Sequence, residues 1–446
     1  MNEQINSFGK NIWSMLGNPI SLKVAAIGAL TLLLLVPVTM IESLIQERED
    51  RQKEVLVEIG SKWGGEQAII GPIISIPYRS TTDSVLYMHF LPETLRINGE
   101  VYPQVRYRGI FEAVLYNAKL VLTGTFSLPK TKKLKLPAEI TDRAIEWSRA
   151  SICVGFSDMR GITEPIVAKV NENKSIMNPG LDTNDLMSSG VSAGIVLERE
   201  TKVYSFKFEV NLTGSDRINF IPVGKSTTVS LSSQWPNPSF CGAYLPTERS
   251  VNEKGFTATW KVLDFNRDYP QQWVGNIYRD QAEKSSFGVG LFTPVDFYQK
   301  SMRTTKYAIL FVVLTFVAFF ISEIVAKVRL HPVQYLLIGL AIIAFYALLF
   351  SLSEHIYFGT AYAISSMAVI VLVTVYARSI LKKPKLAIVV GGVLAIVYAY
   401  SYWLLQMVDY ALVVGSVGLF MVLSIIMFVT RNIDWYSIKV GHGSDA

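Results

Sequence analysis

Six ionisable side chains, Arg303, Glu323, His331, Glu354, His355 and Asp409, lie at or near the ends of long uncharged runs in the second half of the chain. Carboxylates and imidazoles in the middle of such runs would suggest a proton or ion path. At the ends they cap helices or fix topology, and the positions here favour that second role. Glu354 and His355 are adjacent, and imidazole titrates near neutrality, so this pair is also a candidate for a pH response. Elsewhere the chemistry is sparse. Histidines at 89, 331, 355 and 442 fall in different regions, which argues against a His-rich zinc or iron centre. There is neither a P-loop nor a dinucleotide fingerprint. Gly155, Phe156, Ser157 and Asp158 begin like a nucleophile elbow, but Met159 stands where that pattern needs glycine, and a turn after a strand is the better reading. Cys153 and Cys241 share one polar region, where either a disulfide or two buried thiols would fit. No catalytic residue, cofactor or metal is expected.

The elements that position these residues divide the chain between two solvents. A mean hydropathy of +0.32 is high for a water-soluble protein, and 17% charged residues is high for one wholly within a bilayer. An early apolar run, about Val24 to Ile41, is expected to be an uncleaved anchor, because no small-x-small cleavage pattern follows it. The next segment, Glu42 to Trp63, reads as a stalk helix with acid-before-base pairs four apart (Glu47 and Arg51, Glu49 and Lys53), ended by Gly64 and Gly65. Five more apolar runs begin at Tyr307, Tyr335, Ala361, Leu386 and Tyr410, each long enough to cross most of a bilayer as helix. The expectation is a mixed fold: a polytopic α-helical membrane protein with six spans.

Between the first and second spans the hydrophobic period changes from helical to alternating. The stretches 85–90, 104–126, 194–198, 203–214, 226–233 and 256–265 are rich in Val, Thr, Phe and Tyr and read as strands. They predict a large β-rich, antiparallel, sandwich-like exported domain. A Lys-rich connector from Leu128 to Pro137 precedes one expected helix over 138–150. The domain reading is therefore 1–41 lead and first span, 42–302 stalk and β domain, and 303–446 five-helix bundle.

The net charge of +6 has a place in this plan. One face of the spans carries Lys10, Lys23, Lys327, Arg329, Arg378, Lys382, Lys383, Lys385, Arg431 and Lys439 against Glu3, Glu323, Asp434 and Asp445, which accounts for the whole excess. This asymmetry puts both termini in the cytoplasm and the β domain on the far side. It also makes a nucleic-acid partner a poor reading. The lipid bilayer is the expected partner, with other envelope components and the oligomeric state left open.

Several stretches in fixed order resemble the CreD family of bacterial inner-membrane proteins. They include Glu47, Arg48 and Arg51 with Gly71 and Pro72, SDMRGI at 157–162, WPNPSFCGAYLP at 235–246, GFTATWKVLDFNRDYPQ at 255–271 and GVGLFTPVDFYQK at 288–300. The series continues through KYAILFVVLTFVAFFISE and HPVQYLLIGLA to LSEH. The resemblance implies a role in envelope integrity, envelope stress and colicin tolerance, with expression governed by a sensor kinase and response regulator. It carries over no catalytic residue. Two other classes remain as alternatives: a transporter or permease working through the bundle, and an anchored exported hydrolase.

The charge asymmetry makes a direct prediction. A reporter active only in the cytoplasm will work when fused after Lys385 or at Ala446 and fail when fused at Gly180; activity at Gly180 would overturn the topology.

Overall fold

Pro37 lies four residues after Leu33, lacks the N–H that would bond the Leu33 carbonyl, and crowds that carbonyl with its ring. The first helical segment is accordingly divided at Leu34 into α1 (Pro19–Leu33) and α2 (Leu35–Trp63). The computed structural model describes residues 19–79, 85–128, 145–197, 203–291, 297–326, 328–407 and 410–431. These form two compact units, Gln52–Pro294 and the remainder, and α2 supplies residues to both.

Among the described residues, the β unit contains seventeen strands: β1 (Gln67–Arg79), β2 (Val85–Phe90), β3 (Thr94–Arg108), β4 (Phe111–Ser127), β5 (Ser151–Phe156), β6 (Val167–Val170), β7 (Asn173–Ile176), β8 (Asn178–Pro179), β9 (Gly190–Gly194), β10 (Val203–Ser215), β11 (Arg217–Ile221), β12 (Ser226–Ser233), β13 (Pro238–Gly242), β14 (Glu248–Asn252), β15 (Gly255–Leu263), β16 (Gln272–Val274) and β17 (Phe287–Leu291). The short helix α3 (Arg279–Lys284) precedes β17. One sheet runs β13-β17-β11-β1-β5-β9-β8, with β2 beside β1 and β16 beside β2. The other runs β14-β15-β12-β3-β4-β10-β6-β7. Both contribute to a single core that includes Ile74, Leu122, Val154, Phe208, Phe220 and Trp260. Alternation of the kind seen in β10, where Tyr204, Phe206, Phe208 and Val210 point inward, creates that shared face.

Some strand expectations need correction. The stretch 104–126 is two strands, because Gly109 takes φ +62° and turns β3 back on β4, with Arg108 opposite Phe111. The strand expected over 194–198 ends at Gly194; Ile195 is buried, Val196 exposed and Leu197 half-buried, all outside any strand, and Glu198 lies outside the described residues. The helix expected over 138–150 is, in its described part, only a 3-10 turn at Trp147–Arg149. Pairing is not purely antiparallel either, since β1–β11 and β3–β12 are parallel. Cys153 and Cys241 are both free thiols.

The helical unit continues with α4 (Phe297–Lys306), α5 (Ala308–Ala326), α6 (Pro332–Ser353), α7 (Phe358–Leu381), α8 (Pro384–Gln406) and α9 (Ala411–Thr430). Among the described residues, five helical segments are long and apolar enough to cross a membrane: the one beginning at Leu22, and α5, α6, α7 and α8. The sixth apolar run is shorter, Val413–Phe428 within α9. Aromatic rings cluster in the bundle's interior, where Phe345 lies 4.6 Å from the Tyr398 ring, 4.9 Å from Tyr346 and 5.3 Å from Tyr362.

Trp260 is fully buried and sits 5.8 Å from both Phe240 and Phe287, so it joins strands of both sheets. Trp260→Ala will cost about 3–5 kcal/mol, read as a lower unfolding midpoint of the full chain in detergent. The exposed neighbour substitution Lys261→Ala will change stability by less than about 0.5 kcal/mol.

Candidate functional site

Where α2 stops, its last carbonyls need partners, and the following chain must turn into β1 without leaving polar groups unpaired. Gly64 makes the turn at φ +124°, and a Cβ there would lie 2.8 Å from the Thr213 carbonyl oxygen, so only glycine fits. The Thr213 hydroxyl donates to the Trp63 carbonyl at 2.5 Å. Gly65 N–H donates to Asp158 Oδ2 at 3.0 Å, and buried Gln67 donates from Nε2 to the carbonyls of Asp158 (3.0 Å) and Thr213 (3.2 Å). Ser157 completes the joint: its hydroxyl donates to the Glu66 carbonyl at 2.6 Å and accepts from Ala68 N–H at 2.8 Å. The β3–β4 hairpin adds Arg108, ion-paired with Glu58, and Arg106, 5.8 Å from the centre of the Trp63 ring.

The SDMRGI stretch thus forms the socket into which the end of α2 is fastened. Its Asp158 is held by Arg160, whose Nη2 donates to Oδ2 at 2.7 Å, and that hydrogen bond draws the carboxyl down to about 2 against the upward effect of burial. The fragment that resembles a nucleophile elbow is this socket. Ser157 has its hydroxyl committed to the backbone of Glu66 and Ala68 at the start of β1, and no histidine is among its partners in the described residues.

A second polar network lies within the β unit. Ser75 on β1 and His89 on β2 are register partners, with Oγ and Nδ1 3.0 Å apart. His89 is fully buried, its Nε2 is 3.0 Å from Asp185 Oδ2 in the loop before β9, and Trp273 packs beside the ring at 5.7 Å. Burial works to raise the Asp185 carboxyl, but the bond and charge of His89, with Thr183, outweigh it and leave the group below its usual value. Cys153 Sγ lies 3.7 Å from Ser75 Oγ, and burial pushes this thiol up to about 12. Serine, histidine and aspartate are the members of a hydrolase triad. The space they border, lined also by Leu181, Leu186 and Met187, is a cavity of about 20 Å³, room for one water rather than a substrate. The arrangement fastens the 181–187 loop over the sheet, and the thiol beside it is held protonated. Nothing in the local sequence around Ser75, His89 or Asp185 signals this network, because its members come together only through strand register and loop closure.

The residues singled out from sequence separate to the two ends of the bundle. Glu323 on α5 is 8% exposed; it pairs with Lys23 of α1, accepts from Leu330 N–H at 3.0 Å and from the Tyr335 hydroxyl at 2.9 Å. Lys23 also donates to the Leu330 carbonyl at 2.9 Å. His331, next in the chain, is the N-cap of α6, with Nδ1 accepting from Val333 N–H at 3.3 Å and a reciprocal bond between its own N–H and Gln334. Glu354 and His355 stand at the far end of the 22-residue α6, about 33 Å away along the helix. Arg303 is half-buried on α4. Asp409 lies outside the described residues.

Two predictions follow from these geometries. For Asp158, the folded pKa of about 2 lies below its ordinary 3.8. Its stabilising contribution is therefore complete above pH 3.8 and lost as pH falls through about 2. Thermal unfolding across that window will show the wild-type slope weakened in Asp158→Asn. For the bundle, Lys23→Met will cost about 3–5 kcal/mol by stranding the Glu323 carboxylate, and adding Glu323→Gln will recover most of it; equal instability of the single and double variants would show that the charge pair is not what matters.

Comparison with known proteins agrees over nearly the whole chain. The family model described as "Inner membrane protein CreD" matches residues 19–436. The Inner membrane protein CreD of Escherichia coli (strain K12) is 32% identical over 440 residues, covering 96% of each chain. Among solved structures, a putative nutrient binding protein from Legionella pneumophila overlaps 56% of this chain and 80% of its own at 9% identity, with a TM-score of only 0.24. The likeness of sequence, spread across bundle and β unit alike, means that the chain belongs to the family of the inner membrane protein CreD.

Proposed function

We propose that this protein contributes to cell-envelope integrity and the envelope stress response by coupling an exported β domain to a membrane bundle. In this reading it has no catalytic step of its own, both termini are cytoplasmic, and its partners are the bilayer and other envelope components. The observation that carries the proposal is the joint at Trp63 to Ala68. A helix contributed to by both units ends in a socket where Asp158, Ser157, Gln67 and Thr213 bond the chain on both sides of the turn. A positional change in the domain would reach α2 through fixed hydrogen bonds. In the second connection Phe297–Lys306, which carries Arg303, is helical, and neither tether is rich in the glycine and serine of a free linker.

The alternative of an anchored exported hydrolase draws on the Ser75, His89 and Asp185 network. Its cavity of about 20 Å³ supports a fastening role better.

Both readings are tested in a strain lacking its own copy, with envelope tolerance to detergent or colicin as the readout. A flexible Gly/Ser insertion between Lys300 and Arg303 will abolish complementation while leaving protein abundance unchanged. Full complementation by that variant would replace rigid coupling with independent binding by the exported domain. Ser75→Ala will complement; its failure at normal abundance would favour the hydrolase reading over coupling.

A further inference from the structure

Hydroxyl groups inside a membrane bundle normally bond the carbonyl one turn back on their own helix. Thr315 bonds Phe311 in this way, Ser353 bonds Leu349 and Thr374 bonds Ile370. A different set does not. The Tyr298 hydroxyl and Ser301 Oγ on α4, Glu354 Oε1 at the end of α6, the Tyr346 hydroxyl, Ser365 Oγ on α7 and the Tyr398 hydroxyl on α8 are buried without a hydrogen-bond partner among the described residues. Ser365 is fully buried, and Tyr298, Ser301, Tyr346 and Tyr398 are each 2% exposed.

These groups share one end of the bundle. Tyr298 packs 6.1 Å from Phe350, one turn before Glu354 on α6. Tyr346 lies one turn deeper, and Phe345 beside it touches the rings of both Tyr362 and Tyr398. The Tyr362 hydroxyl donates to the Tyr398 carbonyl at 2.8 Å, which ties α7 to α8 at this level and places Ser365 one turn further along α7. Counting along the helices, Tyr346, Ser365 and Tyr398 each lie roughly 10–12 Å from the Glu354 end of the bundle. At the opposite end, the Lys23, Glu323 and Tyr335 groups bond one another and the Leu330 backbone.

Native proteins satisfy buried polar atoms, and groups of them without protein partners are satisfied by ordered water. We infer that the Glu354 end of the bundle is a hydrated recess, in which a chain of water molecules enters beside Glu354, Tyr298 and Ser301 and reaches Tyr346, Ser365 and Tyr398. The recess gives the bundle a polar route part of the way across, while the Lys23 and Glu323 pair lies at the opposite end. It is independent of the coupling proposal, since it rests only on groups within the helical unit.

Radiolytic hydroxyl labelling of the full chain in lipid nanodiscs tests this, because radicals form from water next to the side chain that they oxidise. Tyr346 and Tyr398 will be oxidised severalfold faster than Tyr335, which is equally buried but bonded to Glu323. Rates equal to that of Tyr335 would overturn the recess. A second measurement uses Tyr398→Phe. If its hydroxyl is unpaired in a dry core, removing it raises the unfolding temperature; if water bonds it, the temperature stays level or falls. A rise would overturn the inference even if labelling were fast.

Discussion

The end of α2 is the constraint on which the rest of the β unit depends. A helix leaves carbonyls without partners at its C-terminus, and here the chain has only Gly64, Gly65 and Glu66 in which to turn before β1 begins. The socket meets that demand with groups from two distant strands' ends: Thr213 near the end of β10 and the Ser157 to Gly161 turn after β5. Since β5 and β11 flank β1, the same residues that secure the helix also set where β1 lies in its sheet. The stalk and the sheet are consequently one construction problem.

Much of this was legible from sequence for a plain reason: hydrophobic period and length report on solvent. The apolar runs gave the helices, and the alternation in 203–214, 226–233 and 256–265 gave strands at nearly their observed bounds. Alternation reports the face of each residue but not the point at which a chain reverses, so the hairpin at Gly109 looks like a single stretch in the sequence. The stop at Gly64 was visible because paired glycines after a helical pattern have a local meaning.

The sites were less legible. Glu323 was visible as a carboxylate at the end of an apolar run, but its partner Lys23 is 300 positions away and its second partner is a tyrosine phenol, which no pattern connects to it. SDMRGI carries part of the family resemblance, yet its use is defined by backbone groups of residues 65 to 68, and backbone groups carry no sequence signature. The Ser75, His89 and Asp185 network was hidden for a similar reason: Ser75 and His89 are adjacent only through antiparallel register, and Asp185 arrives on a loop.

The parallel pairs β1–β11 and β3–β12 have a consequence for how the chain reaches this structure. Gln67 pairs with Ile218 and Thr94 with Ser226, so the middle strands of both sheets are closed by segments made more than a hundred residues later. Loop-closure entropy must be overcome before these contacts form, and non-local parallel pairing is slow. The β3–β4 hairpin, which is local, is the natural first structure. During synthesis the early strands therefore wait with open edges, and the nine-stranded sheet is finished only when β17, the last strand before the bundle, inserts between β13 and β11. Assembly of the β unit is thus timed by the emergence of the residues that lead into the bundle.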